Sequence, residues 1–212
     1  MITLGIDIGT SNTLVCLSDG EILTHSTGSK SIPSLVAFTN NNERFIGEEA
    51  FPHYNQSGCL KLLQYLCGKS SNDILNSLFL KYLPSGFNMN ETDDNELLPC
   101  IEINNKSYST TSVLAMLISH INKRILELYA TDDNDIVLAY TLPCTASSSF
   151  RRAIIEANTI AGIESKNIKL ISSDDAIVKT YERKLNAIAN STSEIPKYAL
   201  IFEMGMTITQ GK

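Results

Sequence analysis

The chain has 212 residues, of which 43% are hydrophobic and 19% charged, and a formal net charge of -6. That is enough apolar material for a folded core and too much for a disordered tail, and the length fits one domain or two small ones. No long basic run is present, which argues against nucleic acid as a primary partner, and no apolar run approaches the roughly 20 residues that cross a bilayer, so no membrane association is expected.

The five cysteines, Cys16, Cys59, Cys67, Cys100 and Cys144, are odd in number and contain no Cys-x-x-Cys spacing. The three histidines (His25, His53, His120) include no i,i+4 pair and none beside a cysteine pair. Zinc is therefore not expected, and the thiols read as reduced and buried. A strand begins almost at once, over residues 1–8, with no basic-then-apolar leader. A cytoplasmic protein is expected on that pattern, and the sequons at Asn55, Asn90 and Asn190 then read as chance matches.

In chain order, residues 2–8 alternate apolar with small or polar residues and break at Gly9-Thr10-Ser11-Asn12. A second strand is expected over 13–17, an Asp19-Gly20 hairpin turn after it, and a third strand over 21–25. Residues 34–39 read as another strand, ended by three asparagines. From 48 to 83 the pattern turns helical, with Leu60, Leu63, Leu66 and Cys67 on one face and Ile74, Leu75, Leu78, Phe79 and Tyr82 on another. Residues 84–95 are polar and turn-rich and read as a loop or insert. A strand over 98–103 and a helix from Ser109-Thr110-Thr111 to about Tyr129 follow, the helix burying Val113, Leu117, Ile121, Ile125 and Leu128. Then come a strand over 135–142 stopped by Pro143, a serine-capped helix over 149–161 closed by Gly162, a strand over 167–171, a helix over 174–189 and a strand over 198–202. Such alternation predicts α/β architecture, and the opening meander predicts a mixed sheet.

The stretch with most chemical content is Gly5-Ile6-Asp7-Ile8-Gly9-Thr10-Ser11-Asn12. An acid on the inward face of a buried strand is costly unless paired, hydrated or facing a cation. The small residues after it form a turn whose N–H groups and hydroxyls approach an anion closely. Two readings fit those residues alone: a phosphate-cradling hairpin, or a tight turn capped by its own Asp. No Gly-x-x-x-x-Gly-Lys loop and no dinucleotide fingerprint occurs.

The hairpin resembles the first phosphate loop of the actin, sugar-kinase and heat-shock ATPase superfamily. Ser31-Ile32-Pro33-Ser34-Leu35-Val36-Ala37-Phe38-Thr39, followed by Gly47-Glu48-Glu49-Ala50, narrows the resemblance to the seventy-kilodalton heat-shock chaperones, in which a Thr-Pro-Ser-x-Val-Ala-Phe segment and a Gly-x-x-Ala follow the hairpin. Leu142-Pro143 and the helix ending Ile160-Ala161-Gly162-Ile163 look like that family's Val-Pro-Ala and Ile-Ala-Gly-Leu stretches.

The resemblance implies an actin/hexokinase-like (ribonuclease H-like) ATPase fold with a nucleotide between two lobes. The first lobe would comprise a subdomain A, residues 1–36 and 109–189, with a mixed five-stranded sheet, and a smaller inserted α+β subdomain B, residues 37–108. Residues 190–212 would begin the second lobe, the adenine-binding residues and peptide-binding domain lying past Lys212. It implies ATP or ADP with Mg2+ as cofactors: Gly9, Thr10, Ser11, Asn12, Gly205 and Thr207 would hold phosphate, and Asp7 and Glu203 would face the metal. The implied partners are an unfolded client or nascent polypeptide and a J-domain protein.

Several positions depart from the family pattern. Where family members place the lysine that positions the attacking water, this chain has Gln64, with Lys61 one turn earlier on a similar helix face. The family's Asn-Glu-Pro-Thr-Ala-Ala is Ser172-Ser173-Asp174-Asp175-Ala176, with Ser173 at the acid's position and Asp174 and Asp175 read as capping the next helix. The second phosphate loop, Asp-Leu-Gly-Gly-Gly-Thr, becomes Glu203-Met204-Gly205-Met206-Thr207-Ile208. Lys169-Leu170-Ile171-Ser172 replaces a basic and amide pair that helps dock J-domains. Losing one preorganised stabiliser costs about 10²–10³ in rate. The expected function is thus a divergent chaperone or co-chaperone ATP site with little or no hydrolysis and no catalytic residue, acting in protein folding, with action at the ribosome as one form of it. An active ATP-hydrolysing chaperone is the alternative. A sugar kinase fits the hairpin but not residues 31–39.

Overall fold

The computed structural model describes residues 2–24, 27–75, 83, 87–91, 97–129, 136–189, 202–204 and 209–211. Strand β1 (Ile2–Ile8) turns into β2 (Asn12–Cys16), and β3 (Ile32–Pro33) lies along the start of β2. The Asp19-Gly20 turn forms as expected, with Gly20 at φ 94° and the Asp19 carboxylate accepting from the Glu21 N–H at 2.9 Å. The expected third strand at 21–25 reduces to one bridge, Cys16 to Ile22, flanked by the Leu17–Glu21 and Leu23–Val15 backbone bonds. Because β3 takes the other end of the same β2 edge, only a short arm remains for residues 22 and 23.

The reading of 34–39 as one strand is shortened to β4 (Val36–Phe38), which pairs with β5 (Arg44–Ile46) and β6 (Cys59–Leu60). The helical expectation for 48–83 is corrected. Gly47–His53 is a 3-10 segment containing Pro52, then β6 intervenes, and only two short helices follow, α1 (Leu63–Leu66) and α2 (Ser71–Leu75). Left-handed backbone at Leu62 (φ 58°) and Gly68 (φ 67°) breaks the chain on both sides of α1. Leu60, Leu62, Leu63, Leu66 and Cys67 are all buried, so their spacing records enclosure from several sides rather than one helix stripe. Leu78, Phe79 and Tyr82 fall outside the described residues.

Part of the expected loop at 84–95 is also strand. Residues Phe87–Glu91 form β7, the edge of a three-stranded antiparallel sheet with β8 (Leu97–Ile103) and β9 (Lys106–Ser109). An edge position tolerates this polar, asparagine-rich sequence. Asn104 and Asn105 link β8 to β9 with φ 51° and 61°, the two left-handed residues of a type I′ turn. The Asn104 amide donates to the Thr39 carbonyl at 2.9 Å, tying this sheet to the β4–β5 turn.

Helix α3 (Thr110–Tyr129) opens where Ser109 Oγ accepts from the Ser112 N–H at 3.0 Å. Val113, Leu117, Ile121 and Ile125 are buried as expected, but Leu128 is 55% exposed. The core-facing line advances by four, so the next contact is Tyr129, which packs against the core. Strand β10 (Ile136–Leu142), helix α4 (Ser148–Ile160), strand β11 (Ile168–Ser172) and helix α5 (Ser173–Ala189) complete the main layer. Ser147 caps α4, its hydroxyl accepting from the Phe150 N–H at 3.1 Å, and Gly162 leaves it at φ 89°.

The principal sheet has the order β11-β10-β1-β2-β3. β11, β10 and β1 run parallel, whereas β1, β2 and β3 run antiparallel. This is a mixed five-stranded sheet in an α/β molecule. Its core joins Leu4, Ile6 and Ile8 of β1 to the buried faces of α3 and α4. Between β10 and α4, buried Tyr140 donates its hydroxyl to Asn158 Oδ1 at 2.7 Å, and Asn158 donates to the Ile154 carbonyl at 2.8 Å. The last described strands, β12 (Phe202–Met204) and β13 (Thr209–Gly211), pair antiparallel. The remainder of the strand expected at 198–202 lies outside the described residues.

Candidate functional site

The β1–β2 turn closes through a bond from the Gly9 N–H to the Asn12 carbonyl at 3.0 Å. A Cβ on Gly9 would lie 2.6 Å from that carbonyl oxygen, so a side chain would force the hairpin apart. Residue 34 clamps the tip from outside. The Ser34 N–H donates to the Ser11 carbonyl at 2.8 Å, and the Ser34 and Thr13 hydroxyls, both fully buried, meet at 3.0 Å. Two strands and a clamp thus hold a turn of small residues in one conformation, with Thr10 facing a cleft.

Asp7 sits differently from the expectation of an inward-facing acid. The inward positions of β1 are Leu4, Ile6 and Ile8, and Asp7 lies on the other face, exposed. It accepts from Thr141 Oγ1 at 3.2 Å. The desolvation penalty assumed for a buried acid does not apply to this exposed carboxylate. Because β1, β10 and β11 are parallel, their carboxyl ends carry Asp7, Thr141 and Ser172 to one edge of the sheet, the edge at which α/β sheets place ligands.

The cleft beside the hairpin has a volume of about 400 Å³, and Thr10, Gln64, Lys69, Pro143, Ser147 and Ser149 are among its lining residues. Its opposite wall is the short run from α1 to α2. Gly68 fixes that wall: its φ is 67°, and a Cβ there would lie 2.5 Å from the Phe150 N and Cα at the start of α4. Gln64 on α1 and Thr10 on the hairpin therefore line the same cleft. Cys67 also borders it, but its thiol donates to the Thr110 carbonyl at 3.5 Å and burial pushes its pKa up to about 12. A thiol so shifted is no nucleophile at neutral pH.

Lys61 precedes α1 and is not a helix neighbour of Gln64 as expected. Its ammonium lies 3.5 Å from the Tyr54 ring centroid. Lys69 went unread in the sequence; its one signal there is a Gly-Lys pair closing the apolar run. Ser173 is the buried first residue of α5, and Asp174 and Asp175 lie within its first turn rather than ahead of it. Acids there complement the positive end of the helix dipole. Of the second phosphate loop, Glu203 lies in β12 opposite Gln210, and Gly205 and Thr207 fall outside the described residues. No disulfide joins the cysteines; Cys59, Cys67 and Cys100 are buried, Cys16 is half-buried and Cys144 is exposed.

Residues 3–178 match the family model described as Hsp70 protein. The chain belongs to the Hsp70 protein family. Its fold is accordingly the actin-like ATPase fold of that family, and the matched region is a chaperone-family nucleotide-binding domain. Family members bind ATP or ADP with Mg2+, unfolded clients and J-domain proteins. The residues present fit such a ligand: the glycine-closed turn, the Thr10-lined cleft and exposed Asp7 stand together. No cluster of three or more metal-ligating side chains occurs among the described residues. Magnesium needs none, since it keeps several waters and takes one or two carboxylates plus phosphate oxygens. No helix among the described residues is long and apolar enough to cross a membrane.

Proposed function

We propose that this Hsp70-family chain holds ATP or ADP with Mg2+ against the β1–β2 hairpin and turns ATP over slowly or not at all. The observation that carries this reading is Gln64 lining the same cleft as Thr10. At that place an amide orients water but brings no positive charge to a developing phosphoryl transition state, a loss of about 10²–10³ in rate. Ser173 in place of an acid, and Met206 in place of a glycine, act in the same direction.

In this reading Gly9, Thr10, Ser11 and Asn12 cradle phosphate through N–H groups and hydroxyls, and Gly205 and Thr207 close on it from the second loop. Asp7 and Glu203 hold the hydrated magnesium. Residues 1–36 and 109–189 form subdomain A, 37–108 the inserted subdomain B, and 190–212 the start of the second lobe. The five-stranded sheet and the two small sheets built from β4 to β9 support that division. The protein acts in the cytoplasm as a folding chaperone or as a static partner of a J-domain protein, at the ribosome in the second case. Ser172 and Lys169, where the family has its docking pair, favour weak stimulation by a generic J-domain.

Titration of the full-length protein with ATP and ADP, with and without Mg2+, tests the reading. Saturable binding of both nucleotides, strengthened by Mg2+, is expected. Absence of binding in every condition would refute it.

A further inference from the structure

Among the described residues that line the cleft beside the hairpin, Lys69 is the single cation. It follows Gly68, whose left-handed backbone and tight seat on Phe150 determine where the chain leaves α1. Its ammonium rests 4.7 Å from the Tyr65 ring centroid. That is a weak hold for a charge that phosphate oxygens bind more strongly through charge-assisted hydrogen bonds. Gln64, on the same wall, offers only a neutral amide.

Among the described lining residues one acid, Asp73, shares the cleft. Asp73 accepts from the Ser70 N–H at 3.2 Å and from Ser70 Oγ at 2.8 Å, while Ser70 Oγ accepts from the Asp73 N–H at 3.2 Å. This reciprocal capping box at the start of α2 occupies the carboxylate and holds it below the usual range, with the Lys69 charge a smaller contribution. Asp73 therefore stays ionised, and it opposes any polyanion that Lys69 attracts.

We propose that Lys69 is the cation of this cleft for the terminal phosphate of a bound nucleoside triphosphate, acting in binding from the far side of Gly68 and not at the place of Gln64. The proposal rests on the nucleotide-binding reading above. Lys69 and Thr10 line the same cleft, so a triphosphate seated against the hairpin brings its terminal phosphate within reach of the ammonium. Among the described residues the Lys69 ammonium contacts the Tyr65 ring, a non-directional hold suited to binding charge. Its role is thus affinity and preference for triphosphate over diphosphate.

Calorimetric titration of the full-length protein with MgATP, MgADP and Mg-tripolyphosphate tests this, with circular dichroism melts confirming that each variant is folded. Lys69→Met is expected to weaken MgATP binding about tenfold or more, Lys69→Arg to restore it to within about threefold, and Asp73→Asn to tighten it by about threefold, as expected for charge-assisted contacts near a surface. Tripolyphosphate is expected to follow the ATP pattern, and ADP to lose less. If wild type binds MgATP but Lys69→Met binds it equally, the inference fails while nucleotide binding stands. An equal loss for ADP and ATP overturns the assignment to the terminal phosphate. If wild type binds no nucleotide, the underlying reading fails and the inference with it.

Discussion

The two walls of the cleft are built on different principles. The hairpin wall is defined by backbone: Gly9 closes onto the Asn12 carbonyl, and Ser34 clamps Ser11 and Thr13. The opposite wall, α1 to α2, is defined by one glycine wedged on a helix start, and its cleft-facing residues are Gln64, Tyr65, Lys69 and Asp73. A backbone cradle tolerates little change without unfolding, whereas side chains on a fixed wall exchange freely. On the reading proposed above, the hairpin would keep the family's phosphate cradle while the residues on the other wall would change the chemistry done there.

The sharpest way to break this contrast is at Gly68. Gly68→Ala combines a left-handed non-glycine residue with a clash on the Phe150 backbone, and should destabilise by about 2–4 kcal/mol in urea unfolding. A neutral result would mean that the second wall is not seated on α4. Gly9→Ala comes next, at about 1–3 kcal/mol, because its Cβ meets only the Asn12 carbonyl, 2.6 Å away. This variant should also lose nucleotide binding, and retention of full affinity would show that the turn's close approach is dispensable.

The clamp gives a smaller and more specific signal. Thr13→Val leaves the Ser34 hydroxyl buried without its partner oxygen, costing about 1–2 kcal/mol. Adding Ser34→Ala should recover part of that loss. A double variant no better than the sum of the singles would sink the clamp as a coupled unit.

Much of the first wall was legible in the sequence, because strand alternation and a Gly-Thr-Ser-Asn turn constrain the backbone directly. The mixed sheet, the Ser147 cap and the buried line of α3 up to Ile125 follow from the same local rules. The second wall was not legible, for a physical reason. Leu60, Leu63 and Leu66 show helical spacing, yet the left-handed Leu62 and Gly68 are set by tertiary contacts that periodicity does not record. Asp7 falls on the face opposite Leu4, Ile6 and Ile8, a phase the alternation of β1 already carries, so the expectation of an inward acid misread a legible signal. Lys69 was missed since its place in the cleft depends on the turn at Gly68.

A further effect, confined to alkaline solution, concerns pH. Burial raises the Cys67 thiol from 9.0 to about 12, so the folded state keeps its proton more tightly than the unfolded one. The stability this contributes is fully present below the unfolded pKa and is lost as pH rises toward the folded value. Melting temperatures should therefore decline across that alkaline window, and Cys67→Ala should flatten the decline relative to its own neutral-pH value. An unchanged slope would remove Cys67 from the account.

The central claim, a nucleotide held by an intact hairpin and left unhydrolysed by an altered second wall, is tested most directly by single turnover. Full-length protein in excess would be mixed with γ-labelled ATP and Mg2+, and bound label and released phosphate followed together. Bound ATP is expected to dissociate intact before phosphate is released. Phosphate release faster than dissociation of bound ATP would contradict it.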